Sequence, residues 1–290
     1  MFKKIAIFLQ MIKFEHTVFA LPFAFMGSLL GSVAVNHHLP SWAQIGWVLL
    51  AMFGARSAAM GLNRLIDRVS DAKNPRTANR AIPAGLLKIG EVTAFVIVSF
   101  ALLFWAAAEL NSLAMKLLPI AVVMLVLYSY TKRFTWLCHI VLGLTIALAP
   151  LGGWVAVAGK VDATALVLYF TIMFWVAGFD IIYSCQDVEF DTKEGLNSIP
   201  VRFGVANSLK IAKAFHIITA IGYIALLFMT DLGWFYIAGM LIAYLILFYE
   251  HHIVSPSDLS RLQTAFFTMN GVLSIVVFSF TLIDLVVRHS

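Results

Sequence analysis

Nine apolar stretches, most of them close to the ~20 residues that a helix needs to cross a bilayer, leave this 290-residue chain few possible architectures. They run over Thr17–Asn36, Trp42–Leu65, Glu91–Leu110, Leu113–Tyr130, Trp136–Ala158, Ala163–Ser184, Leu209–Met229, Gly233–Glu250 and Thr264–Val287. In lipid a segment of this length satisfies its own backbone only as a helix, because no water is present to take the amides. The expected fold is therefore all-α: a polytopic membrane helical bundle of nine transmembrane helices, forming a single domain over residues 1–290. With 61% hydrophobic and 12% charged residues, a soluble globular domain is excluded. Ahead of the first span, residues 1–13 mix apolar residues with Lys3, Lys4 and Lys13 and read as a short interfacial helix. Gly27 and Gly31 have the GxxxG spacing that lets a second helix approach closely.

The net charge of +5 does not point to nucleic acid, because the basic residues occupy the short gaps between spans. There, topology and anionic lipid headgroups account for them. Threading nine spans with a cytoplasmic N-terminus puts sixteen of the twenty Lys and Arg on the cytoplasmic side. Only Lys116, Lys160 and Arg288 fall on the other side, and Arg56 lies inside a span. Membrane lipid is thus one expected partner. The first apolar run ends in His37-His38-Leu39-Pro40, not a small-residue cleavage site, so that run is expected to remain as a membrane anchor. With no transit peptide in view, the expected location is a bacterial inner membrane. Cys138 and Cys185 lie in separate segments and have neither disulfide nor zinc spacing.

Against this apolar background the stretch from Asn63 to Gly85, NRLIDRVSDAKNPRTANRAIPAG, concentrates charge. Asn63, Asp67 and Asp71 stand at i, i+4 and i+8, so a helix continuing through them would carry an amide and two carboxylates on one face. Asp187 and Asp191 repeat the i, i+4 spacing, with Asp180 seven residues earlier. Each acidic pair is followed by an Ile-Pro, at Ile82-Pro83 and Ile199-Pro200, a faint internal repeat that would set the two loops face to face. Around them are Arg64, Arg68, Arg76, Arg80, Lys132, Lys193 and Arg202. Carboxylates suit a hard cation and basic residues suit an anion, and the two together suit a metal-bridged polyphosphate. In a membrane bundle the polyphosphate of choice is a lipid diphosphate with its chain between the helices.

Four further residues carry open alternatives. Arg56, two helical turns before Asn63, is either paired structurally or an anchor for an anionic second substrate such as an aromatic carboxylate. Tyr128 and Lys132, one turn apart, are either interfacial anchors or diphosphate contacts. Asp180 is either a general base that aligns an acceptor or a satisfied structural acid. Cys185 falls off the acidic face and reads as packing.

At these residues the chain resembles the UbiA superfamily of intramembrane aromatic prenyltransferases. The likeness rests on NxxxDxxxD over Asn63–Asp71, its NPRTANRAIPAG continuation, YxxxK at Tyr128/Lys132, and Asp180–Asp191 with the NSIPVRFG tail. The opening IKFEHTVFALPFAF is similar to 4-hydroxybenzoate polyprenyltransferases and their relatives in the futalosine route to menaquinone. The resemblance implies that Asn63, Asp67, Asp71, Asp187 and Asp191 hold Mg²⁺ and diphosphate, with help from Arg64, Tyr128 and Lys132. It places Arg56 and Asp180 on the acceptor side. Glu189 departs from it, standing where several relatives carry Asp. The implied reaction is transfer of a polyprenyl group from polyprenyl diphosphate to a ring carbon of an aromatic acid of the 4-hydroxybenzoate type, in quinone synthesis, at the cytoplasmic face. An alternative acceptor is 1,4-dihydroxy-6-naphthoate. From another class, a cation transporter would also use intramembrane acids, but these cluster at one rim instead of running through the membrane.

Overall fold

The computed structural model describes residues 2–12 and 17–289, so Lys13 of the expected interfacial helix lies outside the described residues. Its helices are α1 (Phe2–Met11), α2 (Thr17–Asn36), α3 (Trp42–Lys73), α4 (Ile89–Leu110), α5 (Ser112–Leu127), α6 (Cys138–Ile146) and α7 (Leu148–Ala158). They continue as α8 (Ala163–Ser184), α9 (Val188–Lys193), α10 (Ile199–Met229), α11 (Trp234–His252) and α12 (Asn270–His289). Eight helical stretches among the described residues are long and apolar enough to cross a membrane, and a shorter apolar one covers Ala20–Asn36. The chain is a polytopic helical bundle, as expected.

Local chemistry explains four of the starts. Ser41 and Gln44 form a reciprocal capping box at the head of α3. Asn111 and Asp162 accept the amides of Ala114 and Ala165 at the heads of α5 and α8. Ser198 does the same for Val201, and Pro200 occupies the first turn of α10, where a missing amide costs nothing.

Several boundaries differ from the sequence expectation, each for a physical reason. The second span does not stop at Leu65 but runs on to Lys73, which carries Asn63, Asp67 and Asp71 on one continuous helix. The fifth span breaks at Ala147 into α6 and α7, because Pro150 cannot donate to Ile146 and crowds its carbonyl. The seventh begins ten residues before Leu209, at Ile199, and bends at Gly204, whose φ of 75° suits a residue without Cβ. The Ile-Pro repeat is not structurally symmetric. Ile199-Pro200 opens α10, whereas Ile82-Pro83 sits in a turn that ends at Gly85.

The bundle packs around α8, whose best apolar window is 67% buried, against 11% for the span over Ser112–Arg133. Trp175 meets Phe23 at a tilt, Phe179 meets Phe266 edge to face, and Trp154 is fully enclosed. The two glycines of α2 do what their spacing predicts. A Cβ on Gly27 would lie 2.0 Å from the Pro150 carbonyl oxygen, and one on Gly31 would press on Trp154, so α2 and α7 touch backbone to backbone. On the outside, Trp42, Ile97, Ile120, Phe228, Leu245 and Phe248 are exposed, as a lipid-facing surface requires. Both cysteines are buried and free.

Candidate active site

The last three turns of α3, the loop after it, the tight helical turn Tyr128–Arg133 and the α8–α9 junction converge on one cavity of about 270 Å³. Asn63, Asp67 and Asp71 enter from α3, and Asp187 and Asp191 enter opposite them. Tyr128 and Lys132 line the same space, and Asp180 lies in its wall. Arg56 and Arg64 are not among the lining residues. Arg64 is buried and donates to Asn63 Oδ1 at 3.0 Å, which turns the Asn63 amide nitrogen onto Asp67 Oδ2 at 2.8 Å. Its contact with the site is thus through Asn63.

Every carboxylate of the two pairs is matched by a cation. Arg76 grips Asp187 with two bonds, Nε to Oδ1 at 3.0 Å and Nη2 to Oδ2 at 2.9 Å. Such a planar fork is the strongest form of carboxylate recognition. Arg80 donates to Asp71 Oδ1 at 2.7 Å, Arg133 to Asp67 Oδ1 at 3.0 Å, and Lys132 to Asp191 Oδ2 at 3.1 Å. Asn74 and Thr77 shape the loop that brings in Arg76 and Arg80: Asn74 Oδ1 accepts the Arg76 amide, and Thr77 Oγ1 donates to the Asp71 carbonyl. Because Arg76 follows α3 while Asp187 follows α8, the two loops do face each other. Tyr128 donates from its hydroxyl to the Ala59 carbonyl at 3.1 Å, which fixes its ring at the cavity wall.

Two functional candidates escaped sequence reasoning. Arg133 sits beside Lys132, whose YxxxK motif drew all the attention. His139 is 1% exposed, and its Nδ1 lies 2.6 Å from Asp180 Oδ2, with Nε2 3.4 Å from Ser184 Oγ. Its signal was present: it is the single ionisable side chain in the apolar run HIVLGLTIALA, and such a residue inside a span is a site candidate by default. Conversely, Arg68 and Arg202 turn away, Arg68 to the Leu65 carbonyl and Arg202 onto the Trp136 ring.

Among the described residues no trio of Asp, Glu, His or Cys is arranged to grip a metal alone. Asp71 Oδ2, however, is buried and has no hydrogen-bond partner. An orphaned carboxylate oxygen, with Asp67 beside it on α3 and Asp187 and Asp191 across a small cavity, fits an ion that takes one or two protein oxygens and completes its shell from phosphate and water. Mg²⁺ is such an ion.

Comparison with known proteins decides the family, since residues 20–272 match the model of the UbiA prenyltransferase family. The chain belongs to that family. A 4-hydroxybenzoate octaprenyltransferase of Aliivibrio fischeri is 31% identical over 57% of this chain and 58% of its own length, so the match spans little more than half of that relative. A UbiA homologue from Aeropyrum pernix, solved in its apo form, is 30% identical over 93% of this chain and 98% of its own, with a TM-score of 0.84. A UbiA homologue from Archaeoglobus fulgidus, solved with GPP and Mg²⁺ bound, has the same fold at 22% identity and a TM-score of 0.76, covering 97% of this chain and 99% of its own.

Proposed function

We propose that this UbiA protein is a Mg²⁺-dependent prenyltransferase that moves a polyprenyl group from its diphosphate to a ring carbon of 4-hydroxybenzoate. The observation that carries the reading is the pair of opposed aspartate motifs in one cavity, each carboxylate balanced by a cation that can also bind phosphate. The names of its relatives supply the acceptor, and the Archaeoglobus complex supplies a precedent for prenyl diphosphate with Mg²⁺ on this fold.

Asn63, Asp67 and Asp71 on one side and Asp187 and Asp191 on the other would hold the ion. Bound there, Mg²⁺ neutralises the charge that grows on a departing diphosphate. When the carboxylates turn to the ion, Arg76, Arg80, Lys132 and Arg133 lose their partners and become available to the phosphate oxygens. The site would therefore exchange one set of ion pairs for another. Leu142 and Phe190 in the cavity wall keep water from an allylic cation that it would otherwise trap as an alcohol. His139 donates from Nδ1 to Asp180, and the Asp180 carboxylate is placed to take the proton that the aromatic ring sheds after attack. Arg56, two turns before Asn63 on α3, does not line this cavity, and its role toward the benzoate carboxylate is what the resemblance implies. By charge count the cavity opens to the cytoplasm of a bacterial inner membrane.

Purified protein given Mg²⁺, a long-chain prenyl diphosphate and either 4-hydroxybenzoate or 1,4-dihydroxy-6-naphthoate tests this directly. A C-prenylated 4-hydroxybenzoate is the expected product. Product from the naphthoate alone would move the protein to menaquinone synthesis, and no Mg²⁺-dependent release of diphosphate from folded protein would refute the donor site.

A further inference from the structure

Away from the aspartates, α10 and α11 part to leave a groove of about 320 Å³. Its lining recurs at helical spacing, at 213, 216, 217 and 220 on α10 and at 244, 247, 248, 251 and 252 on α11. Chemistry is divided along it. Lys213, His251 and His252 stand at one end, while Ile217, Leu247 and Phe248 line the rest. The Tyr244 hydroxyl donates to the Ala220 carbonyl at 2.7 Å and ties the two helices together beyond that apolar stretch. Lys213 and His252 are exposed, and His251 is partly so.

The floor is more ordered than a crevice for lipid tails requires. His216, 3% exposed, places Nε2 3.2 Å from the Trp175 carbonyl and Nδ1 2.9 Å from His251 Nε2. A carbonyl only accepts, so His216 Nε2 carries the hydrogen, and Nδ1 of the neutral ring accepts from His251. With Nε2 donating, the neutral His251 ring presents only a lone pair at Nδ1, so the donors for an anion are Lys213 and His252. Room for this arrangement comes from Gly178, where a Cβ would lie 2.4 Å from the His216 ring. Behind it the Trp175 indole donates to Asn270, and Asn270 donates to the fully buried Glu250. A hydrocarbon chain alone has no use for an exposed lysine and an exposed histidine at the mouth of its groove. An anion does, and the apolar remainder adds a chain to it.

We propose that the α10–α11 groove binds one anionic phospholipid, its phosphate between Lys213 and His252 and an acyl chain against Ile217, Leu247 and Phe248. The site is independent of the prenyl-transfer reading, because none of these side chains lines the aspartate cavity.

Native mass spectrometry of the full chain in detergent tests it, with phosphatidylglycerol and phosphatidylcholine of identical chains as probes. One phosphatidylglycerol should stay bound at concentrations where phosphatidylcholine is stripped. The K213E/H252E double variant should hold it roughly tenfold less tightly, and K116E/K160E should hold it normally. If the double variant is not monodisperse, K213Q replaces it, with an expected loss of roughly fivefold. Equal retention of the two lipids, or retention unchanged in the α10–α11 variants, would overturn the proposal.

Discussion

Replacing Arg76 by Leu separates the structural role of the Asp187 pair from its chemical one. Both Asp187 oxygens are held by one guanidinium, and the side chains are 36% exposed for Arg76 and 10% for Asp187. Breaking a fully buried pair costs roughly 3–5 kcal/mol, and an exposed pair is worth no more than about 1 kcal/mol. This pair lies between those limits, so R76L should cost about 2 kcal/mol, or roughly 3 °C in Tm for a chain of this size. The cost comes almost entirely from an Asp187 carboxylate left without a partner. Two consequences follow, both readable in thermal scans of the detergent-solubilised protein without any substrate. D187N added to R76L should recover most of the loss. Mg²⁺ should raise the Tm of R76L well above its value in chelator, because the stranded carboxylate can now take the ion, and should leave R76L/D187N almost unmoved. An equal Mg²⁺ response in the two proteins would refute the reasoning that Arg76 and the metal compete for Asp187.

Three other outcomes follow from the same geometry. Asp67→Asn and Asp191→Asn should abolish prenyl transfer while each protein still elutes as a folded species in detergent; near-normal turnover in both would exclude the metal assignment. Asp180→Asn keeps a partner for His139 but cannot take a proton, so kcat should fall about 10²-fold while KM for the diphosphate and Mg²⁺-dependent diphosphate release persist. An unchanged kcat would reduce Asp180 to a structural acid. Asp284→Ala on α12 removes the acceptor for three backbone amides, Gly233, Phe235 and Tyr236, at the head of α11. Because Asp284 is 1% exposed, the loss should be about 3 kcal/mol, measured as a Tm decrease without any change in KM.

Much of this molecule was legible because lipid simplifies the reading. A run such as Ala163–Ser184 has one outcome in hydrocarbon, and its bounds in the structure match the sequence expectation to the residue. Asn63, Asp67 and Asp71 were legible for the opposite reason: charge in so apolar a chain stands out, and helical spacing alone sets it on one face. What resisted was pairing across distance. No local rule links Arg76 to Asp187, 111 residues away, or Arg133 to Asp67, 66 residues away. The same holds for His139, whose partner Asp180 lies on a different span. The break at Ala147 was within reach, because Pro150 announces it, but the apolar run around that proline is long enough to hide two helices as one span.

Regular helix fails around this cavity, and the failures are where the chemistry gathers. Tyr128–Arg133 winds as a tight 3₁₀ turn at the end of α5, and Cys185–Asp187 does so at the end of α8. A 3₁₀ turn brings residues three apart onto one edge and advances faster along its axis, so it re-aims side chains that an α-helix would spread. At the first such turn Lys132 and Arg133 diverge, one to Asp191 and the other to Asp67, which joins the two acidic motifs through neighbouring residues. At the second, Asp187 turns toward Arg76 while Asp191, one turn further along α9, meets Lys132. A continuous α5 or α8 would hold these side chains to a single helical stripe facing one neighbour. The interruptions let four carboxylates and four cations alternate around a space small enough for a diphosphate, and the Asn197 amide, bonded to the Lys132 carbonyl at 2.7 Å, fastens the rim.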